Sequence, residues 1–387
     1  MKKQKSVALL VETSNAYARN LLSGVVSYIR TNESWSVYLP EQHRGATPPG
    51  WLKTWKGDGL IARIETEAIA RVVRKLKMPV VDVSAARHVP KLPWVETDDA
   101  AIARMAFEHF RERGFEHFAF CGEPEFNWSN WRQEAFVAAA NSQGFECSLF
   151  SSKSPDERGY SLTRERARLG KWVTKLPRPV AIFACYDIKA QQILDVCREH
   201  NIPVPTDVAT LGVDNDELLC DLCTPPLSSV IPDAQKTGRE AARLLDAMMH
   251  GRRVKQDSYL IEPLGIATRQ STDVLAIDDA EIATALKYIR DHSCEGINVQ
   301  DVLKTVPLSR RVFEKRFQQL LGRTPHQEIT RRRIERIRQL LIESDLTLAQ
   351  IARRTGFQNE EYLSVAFRKY VGVPPGKFRK EHYSILR

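Results

Sequence analysis

The sequence contains no apolar run that approaches the roughly 20 residues needed to cross a bilayer, so we expect no transmembrane helix. Its first residues, Met1–Lys5, are basic like the start of a signal peptide. The apolar run that follows, Val7–Val11, is too short for a signal sequence and ends at Glu12. We therefore predict a cytoplasmic protein that begins with a buried strand and does not engage a membrane.

Motifs of catalysis and metal binding are also missing. We find no glycine-rich phosphate loop, no GxSxG, no HExxH and no cysteine set at zinc-site spacing. The seven cysteines are odd in number and scattered, which favours reduced thiols. Cys220 and Cys223 form a CxxC pair without a second pair, so packing is favoured over metal or redox chemistry. We expect no cofactor and no metal, and an enzyme that carries an accessory binding domain remains the alternative class.

Positive charge is concentrated at one end of the chain. The 387 residues include 57 Lys and Arg against 48 Asp and Glu. Residues 281–387 hold 21 of the basic and 12 of the acidic residues, whereas residues 1–279 hold 36 of each. Such asymmetry is typical of a chain in which one domain faces nucleic acid and another does not, and the length suggests two or three domains.

The first two-thirds of the chain alternates apolar runs with helical patterns, which predicts α/β architecture with parallel sheets covered on both faces. The pattern restarts near Asp98 and therefore indicates two lobes. We predict a sensor domain over residues 1–270, a linker over 271–279 and a helical domain over 280–387. The clearest predicted strands are Ser6–Val11, Gly59–Ala62, Pro79–Val83, His117–Phe120, Val180–Ala184 and Ala209–Val213.

The helical domain contains an internal repeat. Phe313, Phe317, Gly322 and Pro325 recur 50 residues later as Leu363, Phe367, Gly372 and Pro375. Each copy has the pattern of a helix, a short turn and a second helix, and its apolar residues fall on one helix face. Two helix-turn-helix units are therefore predicted.

The second helix of such a unit enters the major groove of double-stranded DNA, and its exposed N-terminal residues meet base edges. Arg311 could contact guanine, and Glu314 could accept a hydrogen bond from cytosine. Glu360 and Glu361 are unfavourable near phosphates, so we expect the second unit to bind more weakly. The predicted DNA-binding residues are Arg310, Arg311, Glu314, Lys315, Glu360, Glu361, Ser364 and Val365.

A predicted helix between the copies, His326–Glu343, is rich in arginine. We expect it to set the separation of the two recognition helices and to present cations to the DNA backbone. The arginines concerned are Arg331, Arg332, Arg333, Arg336 and Arg338.

Residues 282–379 resemble the AraC/XylS-type DNA-binding domain. The resemblance is most specific over Ile351–Phe357, Phe367–Lys369 and Gly372–Arg379. It implies that the domain uses two adjacent major-groove segments.

Polar side chains follow the predicted strands of the first domain, where ligands bind in parallel sheets. Asn15, Asp187 and Asp214 each come after a strand, and Trp128 and Arg132 lie near another strand end. Carboxylates, an amide and a guanidinium could exchange hydrogen bonds with hydroxyls, while an aromatic ring covers an apolar sugar face. This combination predicts a small polyhydroxy ligand.

The same domain resembles the effector domain of LacI/GalR regulators, which has the periplasmic-binding-protein-like fold. The resemblance rests on Gly57–Ile61, Trp94–Asp99, Ala181–Asp187, Leu211–Asp214 and Thr224–Val230. One departure from this family is large. The helix-turn-helix that the family carries at its N-terminus is absent from the first residues, and DNA binding is predicted at the other end of the chain.

This domain order resembles sugar-operon regulators of the AraC/XylS family over the whole chain. The resemblance implies D-xylose or a related pentose as effector, a homodimer, an operator in double-stranded DNA, contact with RNA polymerase and a cytoplasmic protein associated with the nucleoid. Activation of pentose-catabolic genes is the expected outcome; repression, or response to a different sugar, is the alternative. The residues predicted to bind the sugar are Asp187, Asp214, Asn15, Arg132, Asp98, Tyr17 and Trp128.

Overall fold

The computed structural model describes residues 4–32, 35–41, 48–154, 157, 159–255, 258–273, 279–344 and 346–383. The chain divides into two units, Met1–Val274 and Leu275–Arg387. No helix in these ranges is long and apolar enough to cross a bilayer.

The first unit extends past residue 270. Ser271 and Thr272, predicted to start the linker, are fully buried. The Ser271 hydroxyl donates to the Thr210 carbonyl over 2.6 Å and accepts from the Ser228 amide over 2.8 Å. The prediction was wrong here because short polar side chains can satisfy buried backbone groups. The rest of the predicted linker, residues 274–278, lies outside the described residues.

The described strands of the first unit are β1 (Lys5–Leu10), β2 (Trp35–Tyr38), β3 (Gly59–Ala62), β4 (Val80–Asp82), β5 (Trp94–Thr97), β6 (His117–Gly122), β7 (Cys147–Ser151), β8 (Val180–Ala184), β9 (Val208–Val213), β10 (Ser228–Ile231), β11 (Ser258–Ile261) and β12 (Gly265–Ala267). They form two six-stranded sheets with orders β2-β1-β3-β4-β5-β11 and β7-β6-β8-β9-β10-β12. Pairing is parallel except between β10 and β12.

Helices cover these sheets, as the α/β fold class requires, and the predicted fold class is confirmed. The helices are α1 (Ala16–Thr31), α2 (Glu67–Val73), α3 (Asp99–Arg111), α4 (Asn127–Ser142), α5 (Leu162–Val173), α6 (Asp187–Glu199), α7 (Glu217–Leu222) and α8 (Ala234–Met249).

Helices α1 and α8 pack at the distance that glycine allows. A Cβ atom on Gly24 would lie 1.9 Å from the Gln235 carbonyl oxygen, and one on Gly238 would lie 1.9 Å from the Leu21 carbonyl oxygen. Both helices place apolar residues in the core beneath the first sheet. This crossing anchors α8 to the lobe that contains β1, although its chain segment follows β10 of the other lobe.

The two lobes are joined by three passages of the chain, after β5, β10 and β11. Side chains also connect them. The Asn127 Nδ2 atom donates to the Ala85 carbonyl over 3.2 Å, and the Trp94 and Trp131 rings meet edge to face at 6.0 Å. The lobes therefore face each other across a cleft at the carboxyl ends of the parallel strands.

The second unit is helical and contains two small cores. Phe313 and Phe317 lie in the first core, whereas Leu363 and Phe367 lie in the second. Capping boxes at Asn298 and Thr347 start the first helix of each helix-turn-helix. The helices are α9 (Ala280–His292), α10 (Val299–Leu303), α11 (Arg310–Leu321), α12 (Pro325–Glu343), α13 (Leu348–Arg354), α14 (Glu360–Val371) and α15 (Pro375–Tyr383).

Several arginines of α12 stabilise the domain internally. Arg331 and Arg332 donate to the buried Glu328 over 2.8 and 2.9 Å, and Arg323 donates to it over 2.5 Å. Arg333 donates to two backbone carbonyls near α9, those of Ser293 and Ile297. The sequence-based expectation that these side chains face the DNA backbone is corrected for this group, because a buried carboxylate requires cationic partners.

We expect Glu328→Gln to destabilise the second unit by about 3 kcal/mol, because the substitution removes the buried negative charge on which Arg323, Arg331 and Arg332 converge. Burial opposes ionisation, but the guanidinium groups of Arg331 and Arg323 lower the pKa of Glu328 below its ordinary value. Its contribution is thus present above the unfolded-state pKa and is lost as pH falls through the lower folded-state pKa. Hydrogen exchange of α12 amides in the full chain measures this difference at neutral and acidic pH.

Glu335→Gln is the matched control on the same helix, since Glu335 is exposed and contacts the same arginines. Equal protection of α12 in the two variants at neutral pH would contradict a structural role for the Glu328 cluster.

Candidate ligand-binding and DNA-binding sites

A cavity of about 270 Å³ lies between the two lobes of the first unit. Its walls come from residues that follow β1, β3, β6, β8 and β9, together with Glu96 of β5. Six of the seven predicted sugar-binding residues line it: Asn15, Tyr17, Trp128, Arg132, Asp187 and Asp214.

Asp187 begins α6 and is almost fully buried. Its carboxylate accepts hydrogen bonds from the Ser229 hydroxyl at 2.6 Å and the Asp216 amide at 2.9 Å. Gly212 is required beside it, because a Cβ atom there would lie 2.2 Å from Asp187 Oδ1. Burial, reinforced by the Asp214 carboxylate, raises the pKa of Asp187 to about 8. The group is therefore held rigidly and is poorly hydrated.

Asp214, immediately after β9, has a left-handed φ of 106°. This backbone conformation is strained for a residue with a Cβ atom and persists only when the surroundings fix it. Its amide donates to the Val230 carbonyl over 3.1 Å. The chain therefore makes a strained turn at Asp214, in the wall of the cavity.

Arg132 of α4 is buried beside Trp128. Its Nε atom donates to Asp99 Oδ1 over 2.7 Å, and its Nη1 atom donates to the Cys185 carbonyl over 2.5 Å. The guanidinium carbon lies 5.1 Å from the Trp128 ring centre. Burial raises the pKa of Asp99 to about 6 against the opposing charge of Arg132. These contacts fix the orientation of both the cation and the aromatic ring.

The opposite wall contains a network that the sequence did not reveal. Arg63 pairs with Glu12 at 2.8 Å and with Glu65 at 2.7 Å. The Nε atom of Arg63 is buried without a hydrogen-bond partner among the described residues. Tyr17 donates from its hydroxyl to Glu96 over 2.8 Å. Burial, with the Asp99 carboxylate adding to it, raises the pKa of Glu96 to about 7.

Asn15 and Asp98 both cap helices. The Asn15 side chain accepts from the Ala18 amide and donates to Glu12 over 2.6 Å, while it also lines the cavity. Within the described part of the chain, Asp98 lies outside the cavity lining, and its carboxylate accepts from the Ala101 amide at 2.8 Å. The placement of Asp98 at the ligand therefore stays a prediction that the lining of this cavity does not support.

Cys220 lies in α7 and Cys223 caps the C-terminal end of that helix, and both thiols are buried. Burial, with the Asp187 carboxylate adding to it, raises the pKa of Cys223 to about 11. Thiolate, the reactive form, is therefore scarce at neutral pH. Their place in the apolar core agrees with the packing interpretation.

The exposed face of α11 carries the predicted residues of the first unit. Arg310 and Glu314 form an ion pair at 2.9 Å, so Glu314 already accepts a hydrogen bond within the helix. Arg311 and Lys315 are exposed, and among the described residues we find no ion pair for either. These two side chains are available to a partner.

The predicted residues of α14 are exposed to a similar degree as those of α11, but their side chains are acidic, polar or apolar rather than mainly basic. Glu360, Glu361 and Val365 are exposed, and Ser364 is half-buried. Tyr362, which the sequence analysis did not select, is 64% exposed beside them. Tyr362 corresponds to Val312 in the first copy of the repeat, and this position next to the selected residues is the signal that could have identified it.

Three family models match successive parts of the chain. The XylR N-terminal domain model matches residues 6–100, and the periplasmic binding protein-like domain model matches residues 107–272. The helix-turn-helix domain model matches residues 303–381. The order of these matches is the order of the structural units.

Similarity to known proteins extends over the full length. The chain is 30% identical to the xylose operon regulatory protein of Escherichia coli K12, and the alignment covers 99% of each chain. It is 28% identical to the protein of that name from Haemophilus influenzae, over 96% of this chain and 97% of the other. The solved structure of the xylose-binding transcription activator XylR covers 98% of this chain and 99% of its own, with 30% identity and a TM-score of 0.77.

A two-lobed sensor with an interlobe cavity, followed by a duplicated helix-turn-helix domain, defines a ligand-responsive, DNA-binding transcription regulator. The full-length matches have the same two parts in the same order. The chain belongs to the family of xylose operon regulatory proteins, AraC/XylS-type regulators with a LacI/GalR-like sensor. The resemblances found in the sequence are confirmed.

We expect Asp187→Asn to stabilise the sensor, and the gain to grow as pH rises. A carboxyl group whose folded-state pKa is raised contributes stability below its unfolded-state pKa and loses it as pH rises through the folded-state pKa, here about 8. The amide avoids burying this charge. Thermal unfolding of both proteins between about pH 5 and about pH 9 measures the difference.

Asp195→Asn is the control on the same helix, where the side chain pairs with Arg198 near the surface. A constant difference between wild type and Asp187→Asn across this pH range would contradict the buried-carboxyl explanation.

Proposed function

We propose that the chain binds D-xylose or a related pentose in the interlobe cavity and responds by activating transcription of pentose-catabolic genes. The observation that carries the proposal is the interlobe cavity in which Asp187, Asp214, Arg132 and Trp128 meet. Its volume of about 270 Å³ suits a monosaccharide. The E. coli relative is named for the xylose operon, and the XylR structure is described as that of a xylose-binding activator.

Each cavity residue has a role in this proposal. Asp187 and Asp214 accept hydrogen bonds from sugar hydroxyls, and Arg132 donates to a hydroxyl or ring oxygen. The Trp128 ring covers the apolar face of the sugar. Arg63 also lines the cavity and supplies a further guanidinium group. Asn15 and Tyr17 complete the wall that follows β1.

The response is a shift between open and closed arrangements of the two lobes. A sugar that contacts both lobes binds the closed arrangement more tightly and therefore increases its population. In a homodimer joined through the sensors, closure would change the spacing of the DNA-binding domains on the operator and their contact with RNA polymerase. We place this regulator in the cytoplasm, on the nucleoid.

Arg310, Arg311, Glu314 and Lys315 are proposed to face the first operator segment, and α14 the second. Arg311 is the strongest candidate for a base contact, because its guanidinium group can donate two hydrogen bonds to guanine. Arg310 is partly occupied by Glu314 and is better placed to orient the helix.

We expect isothermal titration of the full chain to show binding of D-xylose and weaker binding of hexoses. Asp187→Ala should abolish sugar binding and the sugar-dependent change in DNA affinity, while DNA affinity without sugar stays unchanged. The reason is that Asp187 lines the cavity of the first unit, whereas the helices that are proposed to contact DNA belong to the second unit.

Asp195→Ala, at the surface end of the same helix, is the control and should titrate like wild type. Binding of a hexose in preference to every pentose would replace the sugar assignment, and wild-type response by Asp187→Ala would remove Asp187 from the site.

We expect Arg311→Ala to cost about 1–3 kcal/mol of affinity at one base pair of the operator and to relax specificity there. Competition binding against operators that vary at each position measures this effect. Arg310→Ala is the comparison and should lower affinity less selectively. Uniform loss by Arg311→Ala on all sequences would instead identify a phosphate contact.

A further inference from the structure

The two recognition helices share a pattern of exposure but differ in surface chemistry. From 309 to 320 and from 359 to 370, exposed, half-buried and buried positions follow in the same order. The face of α14 that corresponds to the exposed face of α11 is therefore equally open. Arg311 and Lys315 of α11 correspond to Glu361 and Val365 of α14. The second helix offers no cation at these two positions.

Two apolar side chains dominate that face of α14. Tyr362 is 64% exposed and Val365 is 69% exposed. They are three residues apart and thus neighbours on the helix surface. Asn359 caps the helix through the Tyr362 amide, so both lie in its first two turns. This is the part of a recognition helix that meets base edges.

The surroundings of this pair favour DNA over an apolar protein partner. Arg353 and Arg354 at the end of α13 are exposed, as are Arg368 and Lys369 further along α14. An apolar centre flanked by cations matches the major groove, where phosphates border the bases. The apolar group that the groove floor presents is the C5-methyl group of thymine.

Glu360 and Glu361 agree with this arrangement. Both carboxylates lie in the first turn, are exposed, and would repel phosphates placed there. Carboxylates can accept hydrogen bonds from the amino groups of cytosine or adenine, which lie on the groove floor. The helix tip is therefore suited to bases rather than to the backbone.

We propose that α14 discriminates between operator sequences chiefly through thymine methyl groups, which Tyr362 and Val365 contact, whereas α11 uses charged hydrogen-bond donors. The inference rests on the proposed DNA-binding function and specifies the chemistry of its second half-site. It also gives the second unit an apolar source of affinity that the acidic residues do not cancel.

The test replaces thymine by uracil, which removes the C5-methyl group and preserves base pairing. The full-length protein first selects duplexes from a random library, and each thymine of the selected duplex is then replaced singly. We expect about fourfold weaker binding at each thymine that α14 contacts, the effect of losing one buried methyl-sized group. The Val365→Ala protein should bind with equal affinity to duplexes that carry thymine or uracil at one or more of these positions.

Tyr370→Ala is the matched control, because Tyr370 is an exposed aromatic residue in the last turn of the same helix. It should keep the wild-type sensitivity to uracil, as should Arg311→Ala despite its lower affinity. Thermal unfolding of each variant confirms that the fold is intact.

Four results would count against the proposals in distinguishable ways. Wild-type binding that is insensitive to uracil at every position overturns the inference, as does undiminished uracil sensitivity in Val365→Ala. A Val365→Ala protein that binds all duplexes like wild type but loses activation of a reporter would assign this face to a protein partner. Failure of the full-length protein to select any sequence would instead overturn the DNA-binding function.

Discussion

Parallel pairing of the strands is the constraint on which the sensor depends. Helical crossovers return the chain to the same edge of each sheet, so the segments that follow successive strands collect at the carboxyl ends. Both sheets have the same strand order, and the three passages between them place these two edges face to face. Asn15 after β1, Asp187 after β8 and Asp214 after β9 consequently meet in one cavity. The close crossing of α1 and α8 at Gly24 and Gly238 holds the returning chain in the first lobe.

The cavity buries several ionisable groups, and each is accommodated differently. Arg132 is neutralised by Asp99 and Arg63 by two glutamates, whereas burial raises the pKa of Asp187 and so favours its uncharged form. These contacts cost stability through desolvation but fix the polar atoms before the ligand arrives. In the proposed function, a hydroxyl-rich ligand would form hydrogen bonds with both lobes and would thereby couple binding to their closure.

In the second unit, the two copies of the repeat have similar core residues but different surface residues. Phe313 and Phe317 have counterparts in Leu363 and Phe367 because each unit needs its own apolar centre. The exposed positions are free of this requirement, so one recognition helix is cationic and the other acidic and apolar. Net charge overstates the DNA-facing charge, since Glu328 holds several arginines of α12 inside the domain.

The sequence by itself determined the architecture. Buried parallel strands are apolar runs with sharp ends, so Gly59–Ala62 and Val180–Ala184 were predicted at their observed bounds. The 50-residue repeat similarly identified the helix-turn-helix units. Only the tertiary structure decided which polar residues line the cavity. Asp98 is the extended N-cap residue of α3, whereas Asp99 lies in the first turn of the helix and reaches Arg132. Arg63 carried no local signal, because its role depends on partners from separate segments that the fold brings together.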